Sequence, residues 1–138
     1  VKKSSYIRLV PGAKQTEINL DGLQELLQKY RNRMKKTGEQ LQWDYEAAAF
    51  PYEMEKHEQD GIPYLLLKGK DPSAYYYLVM GTGKEEATGV EYIQIVLPDR
   101  ATHGDIAKGN EYARFLAKEV QGELTMFNER TMYFQAKR

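Results

Sequence analysis

In 138 residues the chain carries twenty basic and twenty acidic side chains and no cysteine. The length suits one domain, and 41% hydrophobic with 12% aromatic residues is too rich for a disordered chain. Balanced charge gives no overall field toward nucleic acid or an anionic membrane, and the lack of cysteine excludes disulfides, thiolate metal sites and thiol nucleophiles.

The opening Val1-Lys2-Lys3 runs straight into strand-like residues with no secretory apolar core behind it. No apolar run approaches the ~20 residues that a membrane span needs. The expectation is a soluble, cytoplasmic protein. Ser5–Val10 reads as a first strand, stopped by Pro11-Gly12. Leu20, Leu23, Leu26, Leu27, Tyr30 and Met34 then recur at helical spacing. Asn19 can cap that helix, and Lys35, Lys36 and Gly38 are its expected stop. Within Glu39–Ala49, which holds the sole tryptophan Trp43, the Glu46–Ala49 run predicts a short helix or helical turn.

Phe50–His57 alternates, with Phe50, Tyr52 and Met54 opposite Glu53, Glu55 and His57, and Asp60-Gly61 turns it into a second strand, Ile62–Lys68. A turn at Asp71-Pro72-Ser73 precedes a strand over Tyr75–Met80, Gly81–Gly89 reads as a polar loop, and Val90–Leu97 is the next strand. Thr102–Gln121 is a second long helix with Ile106, Ala113, Leu116 and Val120 on its buried stripe. Glu123–Phe127 and Met132–Ala136 close the chain as a hairpin. The order β-α-β-β-β-β-α-β-β predicts a single α+β domain over residues 1–138. Its mainly antiparallel sheet of six to seven strands should carry two principal helices on one face, each bridging strands as a crossover.

Two pentads nearly repeat: Tyr6-Ile7-Arg8-Leu9-Val10 and Tyr92-Ile93-Gln94-Ile95-Val96. Alternation should turn Ile7, Leu9, Ile93 and Ile95 toward the helices and Tyr6, Val10, Tyr92 and Val96 away from them. Five matched positions arise easily among such strands and do not establish a duplication. Large apolar groups left in water are costly, so the second face should be partly covered by the Trp43–Phe50 segment, the remainder forming a homodimer contact.

No catalytic signature and no cofactor fingerprint occurs. Gly81-Thr82-Gly83-Lys84 lacks the spacing and the following helix of a phosphate loop. Glu53, Glu55 and His57 share a strand face but supply one histidine only, which suits a solvated surface better than a metal site. The polar stretch Asp99, Arg100, Thr102, His103 and Asp105 joins a strand end to a helix start, where amides and cations can hold an anion or a small ligand. The same residues suit a helix cap, with Thr102 and Asp105 three apart, and that account carries more weight. The eleven tyrosines are the remaining signal. Tyr6, Tyr92 and Tyr133 mark a candidate interaction face, fitted to a protein or small-molecule partner. Stacked RNA bases would need the aromatic-basic signature that is missing here.

The stretches Ser5–Pro11, Thr37–Leu41 with Trp43-Asp44-Tyr45, Phe50–Glu53, Tyr92–Asp105 and Asn128–Phe134 resemble a small family of uncharacterised proteins from Bacillus-type bacteria. The resemblance implies a compact cytosolic α+β domain. That family carries no assigned activity, so no functional residue is transferred. The expected function is a non-catalytic binding or protein-interaction module. The alternative is a small enzyme or anion-binding protein using Asp99–Asp105.

Overall fold

The computed structural model describes residues 3–135. Seven strands form one sheet: β1 (Lys3–Arg8), β2 (Tyr52–Gln59), β3 (Ile62–Gly69), β4 (Tyr77–Lys84), β5 (Glu91–Leu97), β6 (Glu123–Thr125) and β7 (Thr131–Tyr133). The helices are α1 (Leu20–Leu41), α2 (Tyr45–Ala49) and α3 (His103–Val120). The spatial order is β2-β3-β4-β5-β1-β6-β7, and every neighbouring pair is antiparallel. The near-repeated pentads lie side by side, with Ile7 opposite Ile93 and Tyr6 opposite Gln94. Because β1 is antiparallel to both β5 and β6, those two run parallel with β1 between them, and α3 is the crossover that links them.

Both long helices lie on one face. Ile7, Leu65, Leu67, Leu78, Met80, Ile93 and Ile95 point to it and are wholly buried, as are Leu23 and Leu27 of α1 and Tyr112 and Leu116 of α3, with Tyr30 of α1 nearly so. Each such side chain contributes roughly 1.5–3 kcal/mol of transfer free energy. An aromatic cluster knits α1, α3 and β2, with Tyr112 in contact with Tyr30, Phe50 and Tyr52 and donating its hydroxyl to the Ala49 carbonyl at 2.8 Å.

Several boundaries differ from the sequence-based expectation. α1 begins as expected, with the Asn19 carboxamide oxygen accepting from the Gly22 amide, but it runs past Gly38 to Leu41 and ends on Gln42 in the left-handed region. Gly38 serves close packing instead: a β-carbon there would stand 2.6 Å from the Trp43 carbonyl oxygen. The expected polar loop from Gly81 is not a loop at its start, because β4 continues to Lys84 in register with β5. Gly83 is tolerated mid-strand because the Tyr92 ring covers it, so close that a β-carbon would meet the hydroxyl at 2.4 Å. Ile106 is 40% exposed and off the buried stripe of α3, which runs through Gly109, Ala113, Leu116 and Val120. Tyr75 and Tyr76 precede β4 rather than lying in it, and β6 and β7 are shorter than expected, with Ala136 outside the described residues. Val10 follows β1 and is buried.

Candidate functional site

The residues around the start of α3 divide by role. Thr102 caps the helix: its hydroxyl accepts from the Asp105 amide at 3.0 Å and donates to the Ala74 carbonyl at 2.7 Å. Asp105 completes the capping box by accepting from the Thr102 amide at 3.0 Å. Its carboxylate, with no exposed surface, also accepts from the Tyr52 hydroxyl at 2.5 Å and from the Tyr76 amide at 3.0 and 3.1 Å. Burial first, and then that bond to Asp105, push the Tyr52 phenol well above its ordinary range. The positive end of the helix therefore already holds an anion, and the anion belongs to the chain. Ala74 and Tyr75 roof it so closely that a β-carbon on Gly104 would stand 2.6 Å from the Ala74 carbonyl oxygen. Asp99, Arg100 and His103 are exposed outside this arrangement, and among the described residues the side chains of Arg100 and His103 make no hydrogen bond or ion pair.

The Glu55–His57 pair lies on exposed β2, with the imidazole Nε2 2.8 Å from the Glu55 carboxylate and the ring stacked on Tyr64. Among the described residues no group of three or more His, Asp or Glu side chains is arranged to hold a metal ion. The cations Lys29, Arg31 and Arg33 of α1 pair with Glu119 or Glu46 on the helical side of the sheet.

The other sheet face carries no helix. Cross-strand register places Glu55, Leu66, Val79, Val96 and Ser4 in one row across β2, β3, β4, β5 and β1. The same alternation puts Tyr64, Gly81, Gln94 and Tyr6 two residues toward one end, and Lys68 and Tyr77 two residues toward the other. All of these but Tyr6, which stands at its rim beside Tyr92, floor a trough of about 1030 Å³. Gly81 is the gap in this floor, since a β-carbon there would meet nothing within 4 Å. Tyr6 and Tyr92 pack edge to face at 5.6 Å, and Gln94 Nε2 donates to the Ser4 and Tyr6 hydroxyl oxygens at 3.1 Å each. Beyond them Arg8 holds Glu85 through two hydrogen bonds of 2.8 and 2.9 Å and Glu123 through one of 2.9 Å. The bond to Arg8, supported by the Thr88 hydroxyl, keeps the Glu85 carboxyl below its usual range. Tyr133 faces the same way on the edge strand and is 68% exposed.

Of the candidate face residues, Tyr6 and Tyr92 thus come together and Tyr133 stands apart. Sequence reasoning passed over Leu66, Val79 and Gly81, which form the centre. Leu66 sits in an unbroken apolar run, Tyr64–Leu67, where alternation is invisible. The Trp43–Phe50 segment, expected to cover this face, lies on its opposite side: α2 packs on α1, and Phe50 is buried against Tyr52 and Tyr112.

The family described as a domain of unknown function, DUF1885, matches residues 3–136. The chain belongs to this family. A solved structure of a protein of unknown function from Bacillus stearothermophilus is 40% identical to it, with 86% of this chain and 90% of that one covered and a TM-score of 0.60. No curated protein matches the chain. This DUF1885 domain thus shares its fold with that relative, and none of its helices, among the described residues, is long and apolar enough to cross a membrane.

Proposed function

We propose that this DUF1885 domain is a non-catalytic binding module whose working surface is the helix-free face of the sheet. The observation that carries the reading is the uncovered row Leu66–Val79–Val96, flanked by Tyr6, Tyr64, Tyr77 and Tyr92. At about 1030 Å³ the trough is at the upper limit of small-molecule sites, ~300–1,000 Å³, and it has a floor but no roof, which favours a macromolecular partner. Lys68 is the one cation among the described residues that line it, against Glu55 and Asp60, so a phosphate backbone has little to hold. The basic residues of α1 lie across the sheet and cannot join the tyrosines on one strand of nucleic acid. The alternative at the start of α3 is disfavoured because Asp105 fills the anion position and Ala74 and Tyr75 cover it.

Val79→Arg tests the reading. The side chain is on the open face, so the variant should keep the wild-type melting temperature to within a few degrees, as surface changes usually do. It should change either the uptake of the apolar dye 8-anilinonaphthalene-1-sulfonate or the sedimentation of the protein. A variant identical to wild type in both would show that nothing uses this face.

A further inference from the structure

We propose that the occupant of the open face is a second copy of the same chain, related by a two-fold axis along the row Leu66–Val79–Val96; this rests on the reading of that face as the binding surface. On β4 the open-face residues run Tyr77, Val79, Gly81. A two-fold axis parallel to the sheet, perpendicular to the strands and passing over Val79 reverses the strand direction, so Tyr77 of one copy stands over Gly81 of the other, twice. One position is a half-exposed ring and the other is the gap in the floor. Large side chain and gap are thus equidistant from the axis, the condition for a self-complementary interface.

The off-axis positions of β3 and β2 agree with this axis. On β3 it sets the Lys68 ammonium of one copy over the Tyr64 ring of the other, a cation–π arrangement. On β2 it sets Glu53 against His57 of the other copy, while Glu55, at the exposed end of the row, meets its own copy with the His57 imidazole 2.8 Å from its carboxylate. Leu66, Val79 and Val96 meet their own copies along the axis and are withdrawn from water. The twenty residues lining the trough match the ~20–30 that each partner gives to a standard interface. Two twisted sheets packed face to face keep their strands within about 30°, so the row can stay in contact along its length.

Exchange of the two positions is the test. Residues 77 and 81 are four apart on one strand, about 13 Å, and cannot replace each other within a chain. Sedimentation equilibrium at micromolar concentration should give twice the mass of one chain for the wild type. Tyr77→Gly and Gly81→Tyr should each weaken the dimer by about tenfold or more, the scale of one interface anchor. The double exchange should restore it, with a thermal melt confirming that each variant is folded. A dimer indifferent to both single changes, or single changes that the exchange does not rescue, overturns the proposal. A wild-type monomer whose dye uptake is lost in Val79→Arg overturns the second copy but leaves the open face as the binding surface. A wild-type monomer without dye uptake overturns both.

Discussion

The Tyr52 hydroxyl donates a hydrogen bond to the Asp105 carboxylate at 2.5 Å, and through this bond β2 is tied to the start of α3. The carboxylate is fully buried and, among the described residues, pairs with no cation; three hydrogen-bond donors and the helix end balance its charge.

Removing that carboxylate leaves the Tyr52 hydroxyl and the Tyr76 and Thr102 amides without an acceptor. Asp105→Ala should therefore destabilise strongly, at about 1–3 kcal/mol for a buried donor left unsatisfied. Tyr52→Phe removes one charge-assisted bond and should cost about 1.5–3 kcal/mol. Urea denaturation followed by circular dichroism measures both. An Asp105→Ala protein as stable as wild type would remove the carboxylate from the account of the fold.

Gly38→Ala is expected to destabilise despite a helix propensity gain of up to ~1 kcal/mol. The added methyl group would fall 2.6 Å from the Trp43 carbonyl, a backbone atom that a side-chain rotation cannot move. A net loss of about 1–3 kcal/mol is the usual result of overpacking. Displacement of the turn should also alter Trp43 fluorescence, since Trp43 packs edge to face on Tyr45. Unchanged emission with raised stability would refute the close approach.

Stability should fall at alkaline pH. Burial is the leading cause that raises the phenols of Tyr30, Tyr52 and Tyr112 above their ordinary value. In the unfolded chain they ionise near pH 10, while the native protein keeps its protons. The native state then binds more protons, so the contribution is complete below about pH 10 and is lost as pH rises beyond it. Urea midpoints taken from about pH 8 to about pH 11 should decline at the upper end, less steeply in Tyr112→Phe. A flat profile would contradict it.

At the acid end, Arg8→Gln should let the Glu85 carboxyl return to its ordinary range, because its bond to Arg8 is the main cause of the lowered value. Glu85 favours the native state while ionised, so its contribution is present at neutral pH and disappears as pH falls through the carboxylate range. Carboxyl-carbon NMR titration of the two proteins would read the change directly. Identical Glu85 titration curves would show that Arg8 does not hold it.

The elements themselves were legible in the sequence because they rest on local signals. The Leu20–Tyr30 spacing with its Asn19 cap, the Asp60-Gly61 turn and the alternation in both pentads each act within a few residues. They placed α1, the β2–β3 hairpin and the two faces of β1 and β5. Tertiary structure decided the rest. Gly38 and Gly83 look like breakers until the chain after α1 folds the Trp43 carbonyl back onto the helix end and Tyr92 comes across from β5. Asp105 looks like a ligand position until Tyr52 and Tyr76 converge on it. The row Leu66–Val79–Val96 exists only through the register of three strands, and a register is a relation between distant segments that no window of sequence contains.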